Sequence, residues 1–317
     1  MNDTDTSKTQ KIVIPGGAGL VGQNLITRLL AAGYSNLVVL DKHSHNLGVL
    51  QALHPDVTVV LADLSEPGDW ASHFEQSQAV VMLQAQIGAR HSEPFEANNV
   101  RAAERVLTEI KNKGIPYLVH VSSSVVRSVA DDDYTRTKRL QEQMVVASGI
   151  DCVVLRPTLM FGWFDRKHLG WLARFMRRIP VFPIPGSGRI ARQPLYVGDF
   201  CAVIQRCLER RITGTYDISG VQSIDYVDMI RAIRETVRSR TLVLPIPFRL
   251  FDLLLKTWAL VDKDPPFTSA QLHALVAGDN FEVTDWPERF DVSVTSFADA
   301  IKETFTHPVY STIELKF

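Results

Sequence analysis

The stretch Lys11-Ile-Val-Ile-Pro-Gly-Gly-Ala-Gly-Leu-Val-Gly22 decides the fold of this 317-residue chain. Its β-branched run, Ile12 to Ile14, is typical of a buried parallel strand, and the run stops at Pro15 and Gly16. A helical pattern with one apolar face follows the glycines. Strand, glycine turn and helix, in this order, predict the first half of a dinucleotide-binding unit.

The glycines of this stretch suit a phosphate site. Glycine permits a tight turn, a close approach of the backbone to a pyrophosphate, and close packing of helix on strand. The N–H groups at the start of a helix lie at its positive end and attract phosphate. We therefore predict that the pyrophosphate lies along Gly16, Gly19, Leu20, Val21 and Gly22.

An acidic residue follows the second predicted strand. The run Leu37 to Leu40 ends in Asp41, about 20 residues after the glycine turn, where a carboxylate can accept hydrogen bonds from both ribose hydroxyls. The same carboxylate repels a 2′-phosphate, so the sequence predicts NAD rather than NADP. The alternative is a glycine-rich turn of an α/β domain that holds no ligand.

Composition limits the possible functions. Lys and Arg number 34 against 35 Asp and Glu, a net charge of −1, so no basic excess indicates nucleic acid. No metal-ligand spacing is present, and the three cysteines are typical of reduced thiols in a cytoplasmic protein. No apolar run is long enough to span a membrane. We therefore expect a cytoplasmic protein whose partner is a small molecule.

Strand and helix patterns alternate from Lys11 to about Arg156. Buried strands joined by helices predict an α/β Rossmann fold, a doubly wound parallel sheet with ligands at the carboxyl ends of the strands. The predicted organisation is a disordered tail (1–10), an NAD-binding domain (11–160) and a smaller, mostly helical substrate lobe (161–317) interleaved with the sheet.

A tyrosine and a lysine lie four residues apart at Tyr134 and Lys138, on one face of a predicted helix. An ammonium near a phenol stabilises the phenolate, so we expect Lys138 to lower the pKa of Tyr134 and make it a general acid or base. Three serines, 122 to 124, end the preceding strand and can hydrogen-bond a substrate oxygen. A surface helix with an ordinary aromatic and an ordinary charge is the alternative.

Together these motifs resemble those of extended short-chain dehydrogenases/reductases, in the NAD-dependent epimerase/dehydratase family. The resemblance runs from Lys11 to about Phe305, and it implies NAD as cofactor and a homodimer. It implies Ser123, Tyr134 and Lys138 as the catalytic residues. Beyond the glycine turn and Asp41, the cofactor-binding residues that it implies are Asp63, Leu64, Leu83, Gln84, Ala85, Asn99, Val121, Tyr134, Lys138 and Pro157.

The resemblance also implies a substrate site formed by Ser124, Thr158 and Arg192. In nucleotide-sugar members, an arginine at the spacing of Arg192 binds the substrate diphosphate, and a guanidinium suits that task. The leading prediction is therefore an epimerase, or a related dehydrogenase or dehydratase, that acts on a nucleotide-diphosphate sugar through a transient keto intermediate.

Two alternatives remain open. The first is a reductase or dehydrogenase of an apolar alcohol or ketone, which the apolar stretch Phe248 to Val261 favours. That stretch can also be core, lid or a membrane-surface contact. The second is a non-catalytic nucleotide-binding protein of the complex I accessory type, whose sequences Gln193-Pro194 resembles. The complete Ser–Tyr–Lys set counts against it.

Overall fold

A computed structural model describes residues 8–261, 272 and 284–316 of the chain, without the side chains of 258–261. Residues 1–7 of the predicted tail (1–10) lie outside the described residues. Lys8 is already attached to the fold, because its carbonyl accepts a hydrogen bond from the Ser35 N–H at 3.1 Å.

A seven-stranded sheet forms the centre of the molecule, and every neighbouring pair of its strands is parallel. The order across the sheet is β3-β2-β1-β4-β5-β6-β7. This arrangement confirms the predicted doubly wound Rossmann fold, whose carboxyl strand ends meet at one edge. The strands are β1 (Ile12–Pro15), β2 (Leu37–Asp41), β3 (Thr58–Leu61), β4 (Ala79–Met82), β5 (Leu118–Val121), β6 (Cys152–Pro157) and β7 (Gly214–Ile218).

Helices cover both faces of the sheet and build the smaller lobe. One of them places the ring of Trp286 in the core beneath the sheet. The helices are α1 (Leu20–Ala31), α2 (Ser44–Leu53), α3 (Ala102–Asn112), α4 (Asp133–Val146), α5 (Leu169–Met176), α6 (Val197–Arg210), α7 (Tyr226–Thr236), α8 (Phe248–Val261), α9 (Trp286–Phe290) and α10 (Phe297–Thr306). Among the described residues, no helix has both the length and the hydropathy needed to cross a bilayer.

The apolar face of α3 packs on the sheet. Ala103, Val106 and Ile110 are fully buried within the single chain, in one cluster with strand residues. Burial of these side chains stabilises the fold by about 1.5–3 kcal/mol for each large aliphatic group. This face therefore covers the sheet, and it is not the surface through which a second copy could bind. Dimerisation itself stays a prediction.

The chain returns to the sheet after it has begun the lobe. Helix α6 packs against α1 through Phe200, Val203 and Ile204, and β7 pairs with β6. Sequence reasoning missed β7 because Gly214-Thr-Tyr-Asp-Ile218 is a short edge strand without an apolar run. The segment from 197 to 218 thus packs with the sheet layer, and the division of the chain into two domains stays a prediction.

The lobe has its own core, formed by α5, α7 and α10. It also contains short strand pairs, so it is less helical than the sequence pattern indicates. Two of these strands, Val181–Pro185 and Leu242–Ile246, pair in parallel and are called the lobe ribbon below. The other pairs are Met160–Phe161 with Leu195–Tyr196 and Ala191–Arg192 with Ile224–Asp225.

An arginine joins lobe and sheet. The Arg28 guanidinium of α1 donates to the Tyr196 hydroxyl and to the Glu303 carboxylate, each at 2.8 Å. It also lies 4.4 Å from the centroid of the Trp163 ring, in cation–π geometry. Three contacts on one side chain fix how the lobe sits over the carboxyl edge of the sheet.

Candidate active site

The glycine turn is as tight as its sequence predicts. Gly16 has φ +76°, a left-handed conformation that favours glycine, and a Cβ there would overlap the backbone nitrogen of Gln84. A Cβ at Gly22 would overlap the carbonyl of Gly17, so α1 packs directly on the turn. The turn thus needs glycine at both positions to bring β1, β4 and α1 together.

The start of α1 is open to an anion. Gly19 caps the helix without a side-chain hydrogen bond, and the first turn carries no acidic residue. Gly19, Leu20 and Val21 are half-exposed, so a ligand can reach their N–H groups. The residues present therefore fit a pyrophosphate, in the place where the sequence predicts it.

The Asp41 carboxylate lies beside the glycine turn at the end of β2. One oxygen accepts the Ala18 N–H at 3.0 Å, and the other accepts the backbone N–H and ring Nδ1 of His43 at 3.0 and 2.8 Å. The side chain is 7 % exposed. Asp41 thus supports the turn and places a negative charge beside it, and its predicted contact with the ribose stays a proposal.

Two further predicted cofactor residues make contacts within the protein. Asp63 accepts the N–H and hydroxyl of Ser65 at 2.9 and 2.7 Å; although burial alone would raise the pKa of Asp63, these hydrogen bonds lower it. Asn99 is fully buried, and its amide bonds to Gln86 and to the Thr137 hydroxyl. Asn99 therefore ties the loop after β4 to α4. Leu64 lies in the core.

The loops after β4 and β6 carry hydrogen-bonding groups that the described part of the fold leaves unsatisfied. Both amide atoms of Gln84 are buried without a partner among the described residues, and so is the Thr158 hydroxyl. Buried polar atoms normally find a partner, so these are candidates to bind a ligand. Gln84 follows the carboxyl end of β4, between Leu83 and Ala85. Thr158 follows the carboxyl end of β6, next to Pro157.

Ser123 and Tyr134 meet at the end of β5. Ser123 lies two residues past the strand, close enough to the Tyr134 hydroxyl to act against the rise in the pKa of that phenol. Asp132 starts α4 by accepting the Thr135 N–H at 2.9 Å, which directs the first turn of the helix toward the serines. Ser124, the other predicted serine, begins the short helical turn that follows.

Lys138 lies one helical turn after Tyr134 and is fully buried. Its ammonium donates to the Val121 carbonyl at 3.1 Å and to the Gln141 side-chain oxygen. Burial lowers the pKa of Lys138 to about 7, although the Glu142 carboxylate acts in the opposite direction. The lysine is thus held at the end of β5, one helical turn from Tyr134.

Comparison with known proteins identifies the family. The profile of the NAD dependent epimerase/dehydratase family matches residues 12–219, about two thirds of the chain. The chain belongs to that family. It is therefore an NAD-dependent enzyme, as the glycine turn and the Ser–Tyr–Lys set predict.

Individual relatives of this family member are distant. A ceramide reductase of Caulobacter vibrioides is 24 % identical over 244 residues, 74 % of this chain and 73 % of that protein. The mitochondrial NADH dehydrogenase (ubiquinone) 1 alpha subcomplex subunit 9 of Arabidopsis thaliana is 24 % identical over 245 residues, 74 % of this chain and 59 % of that protein. The crystal structure of UDP-glucuronic acid 4-epimerase from Bacillus cereus in complex with NAD has a TM-score of 0.70 at 18 % identity, over 94 % of this chain and 98 % of that one. The last likeness shows the fold alone.

One expectation about this epimerase-family site is wrong. The pKa of Tyr134 is raised, not lowered: burial is the main cause, Asp132 adds to it, and the Ser123 side chain only partly offsets them. The Lys138 ammonium bonds instead to Val121 and Gln141. At neutral pH Tyr134 is therefore a protonated phenol, which suits a proton donor.

Two residues near Lys138 were not predicted from the sequence. Gln141, fully buried on α4, accepts from Lys138 and donates to the Gln84 carbonyl at 3.5 Å. His120, on β5, is fully buried, and burial together with Lys138 lowers its pKa, so its ring is neutral. Helical spacing places Gln141 beside Lys138 and thus carried a signal for it. The sequence around His120 predicts only a buried strand and gives no signal for a role of this residue in the site.

A carboxylate fixes the serine end of the site. Glu142 accepts from the Ser122 hydroxyl at 2.5 Å and from the Arg156 guanidinium of β6. These hydrogen bonds lower the pKa of Glu142, although burial opposes them. Because the Ser122 hydroxyl is bound to Glu142, Ser123 is the serine that lies beside Tyr134.

Arg192 lies in the lobe, half-buried in the strand Ala191–Arg192. Its charge acts on Tyr226: burial raises the pKa of that phenol to about 12, and Arg192 opposes the rise. The neighbour of Arg192 in the fold is therefore the start of α7. Its predicted role, binding a substrate diphosphate, stays a proposal.

Replacing Asp41 tests the cofactor preference of this family member. Asp41→Asn keeps an oxygen for the Ala18 N–H and removes the charge, so we expect the ratio of NAD to NADP affinity to fall by about tenfold, or roughly 1.4 kcal/mol. Isothermal titration calorimetry with both cofactors measures this ratio. The matched control is Asp56→Asn, an exposed carboxylate before β3. An unchanged ratio in Asp41→Asn would remove Asp41 from cofactor selection.

Proposed function

We propose that this enzyme interconverts a secondary alcohol and a ketone with NAD, on a substrate that has an extended apolar body. The observation that carries the reaction type is the placement of Ser123 and Tyr134 beside each other at the carboxyl end of β5, with the buried Lys138 one helical turn away and bonded to the Val121 carbonyl. When bound, NAD supplies the hydride acceptor or donor. The chain then has to hold the substrate oxygen and move one proton.

The residues divide this task. Ser123 can hydrogen-bond the reacting oxygen, because its side chain lies beside Tyr134 at the end of β5. Tyr134, protonated at neutral pH, can donate its proton to a ketone oxygen as the hydride arrives. Lys138 has a pKa of about 7 and can supply a positive charge or a proton relay behind the phenol. The raised pKa of Tyr134 thus supports the reduction direction.

The rim of the site supports an apolar substrate. Three large apolar side chains follow the carboxyl ends of the neighbouring strands β4, β5 and β6: Ile87 is 62 % exposed, Val129 is fully exposed and Leu159 is 42 % exposed. Exposed apolar groups on the loops that follow a ligand-binding edge favour an apolar ligand. The similarity to a ceramide reductase points to the same class of substrate.

A nucleotide-diphosphate-sugar epimerase is the second candidate, and Arg192 is the observation that favours it. A guanidinium at this spacing after Gly186 and Gly188 suits a diphosphate. The likeness to a UDP-glucuronic acid 4-epimerase supports the fold that such a reaction uses. In this case the keto intermediate would stay bound and be reduced again from its other face.

The non-catalytic alternative has less support. The similarity to a complex I subunit is the observation that supports this alternative. However, a protein that only bound a nucleotide would have no need for a serine, a tyrosine and a buried lysine brought together at one strand end. Turnover by the purified chain would exclude this alternative.

Two measurements test the proposal. The first follows NADH oxidation at 340 nm with long-chain 3-oxoacyl and steroid ketones, and the second follows thermal shifts with NAD plus UDP-, GDP- and dTDP-sugars. We expect turnover with an apolar ketone and no shift with the sugars. A shift with a nucleotide sugar that Arg192→Ala abolishes, together with inactivity on every ketone, would favour the epimerase instead.

A further inference from the structure

Two pairs of arginines lie at one end of the lobe ribbon. Arg177 and Arg178 precede its first strand, and Arg238 and Arg240 precede its second. The two segments are adjacent in space, because the Leu242 N–H donates to the Pro180 carbonyl at 2.8 Å. Four guanidinium groups thus gather at the start of one strand pair.

These arginines are exposed and carry unbalanced charge. All four are exposed, and none forms an ion pair with a carboxylate in the described ranges 8–261 and 284–316. The nearby acids are already engaged: Asp228 pairs with Arg231, and Glu235 with Arg234. The net effect is a local positive field on a chain whose overall charge is −1.

The ribbon continues from the arginines with an apolar outer face. Val181 and Leu242 are register partners and are 41 % and 57 % exposed, and Leu244 is 45 % exposed. Phe182 and Ile184 alternate with them and are buried in the lobe core. Because side chains alternate along a strand, the exposed ones share a face that the lobe itself leaves uncovered.

Helix α8 adds a second apolar stripe. It begins two residues after the ribbon ends, and it contacts the first ribbon strand. Leu250, Leu253 and Leu254 are 46 %, 57 % and 50 % exposed, at the spacing that forms one helix face, whereas Phe251 is buried. Among the side chains of α8 that the structure describes, these three leucines are therefore exposed on one face.

We propose that this basic-apolar surface, the four arginines with the exposed face of the ribbon and the leucines of α8, docks on a membrane that contains anionic lipid. Exposed leucines and valines can enter the interface between headgroups and acyl chains, and unpaired arginines attract the negative headgroups. A second copy of the chain fits less well, because the described acids near this surface, Asp228, Glu235 and Asp252, already pair with Arg231, Arg234 and Lys256. The proposal rests on this surface alone, independently of the substrate.

Vesicle flotation with the full chain tests the docking. Phosphatidylcholine vesicles with and without phosphatidylglycerol are the two arms. We expect the wild type to float with the anionic vesicles only, and to be released by high salt. The combined variant Leu250→Ser, Leu253→Ser, Leu254→Ser and the charge-reversal variant Arg178→Glu, Arg240→Glu should each lose about tenfold or more of the bound fraction.

Matched controls change an exposed residue of the same kind elsewhere. Leu61→Ser on β3 and Lys111→Glu on α3 should bind as the wild type does. Circular dichroism and NAD affinity show that each variant is folded. Equal flotation of the triple-serine variant and the wild type, or no wild-type binding to anionic vesicles, would overturn the proposal. A wild-type dimer in light scattering that the triple-serine variant converts to a monomer would instead assign the surface to a second copy.

Discussion

Tyr134→Phe is expected to lower kcat by about 10²–10⁴-fold, the range that loss of a general acid produces. The substitution removes only the hydroxyl of Tyr134, which lies beside Ser123. The ring and the first turn of α4 keep their packing, so NAD affinity should be unchanged. Steady-state kinetics with the substrate found in the ketone screen, and calorimetry with NAD, measure the two quantities.

The control for this variant is Tyr216→Phe. The Tyr216 hydroxyl bonds to the Thr213 carbonyl at 2.8 Å within β7 and its approach, away from the serines. Its loss should leave kcat as in the wild type. Full turnover by Tyr134→Phe would remove the phenol from the mechanism, and Ser123 would then have to be reconsidered as well.

Lys138→Met is expected to change activity and stability in opposite directions. Turnover should be lost, because the substitution removes the ammonium group. The free energy of unfolding at pH 7 should rise by about 1–3 kcal/mol, because the variant no longer buries a group whose pKa is lowered from 10.5 to about 7. The gain is smaller than the pKa change alone implies, since the Val121 carbonyl and Gln141 lose their hydrogen-bond donor.

The pH dependence gives this prediction its sign. Between about pH 7 and pH 10.5 the unfolded wild type holds a proton on Lys138 that the folded protein lacks, so wild-type stability rises with pH across this window. The advantage of Lys138→Met should therefore be largest at pH 7 and below, and should shrink toward pH 10. Chemical denaturation at several pH values measures it, with the exposed lysine variant Lys302→Met as control. A Lys138→Met protein less stable than the wild type at pH 7 would contradict it.

Much of the fold could be predicted because its signals are local. The β-branched run and the glycines from Lys11 to Gly22 specify a strand, a turn and a helix through nearest-neighbour sterics alone. The spacing of Tyr134 and Lys138 likewise needs only the helical period. Their meeting with Ser123 followed from the rule that parallel strands end at one edge, a rule the central sheet obeys.

The electrostatics of the site could not be predicted in this way. The sequence indicates that an ammonium lies near a phenol. The pKa of each group, however, depends on how deeply it is buried and on which oxygen atoms accept hydrogen bonds from the ammonium. The Gln141 side chain and the Val121 carbonyl accept the hydrogen bonds of the Lys138 ammonium. Burial raises the pKa of Tyr134. Desolvation is a property of the packed chain, so no spacing rule reports it.

By itself, the sequence determined the Rossmann fold, and it was sufficient to propose the cofactor turn and the Ser–Tyr–Lys set, because each depends on residue type and short-range spacing. The tertiary structure decided what lies far apart along the chain. It returned the segment from 197 to 218 to the sheet as α6 and β7, it turned the apolar face of α3 inward, and it brought the arginines before the two ribbon strands together. These outcomes depend on which surfaces exclude water against each other, and that is settled only when the whole chain packs.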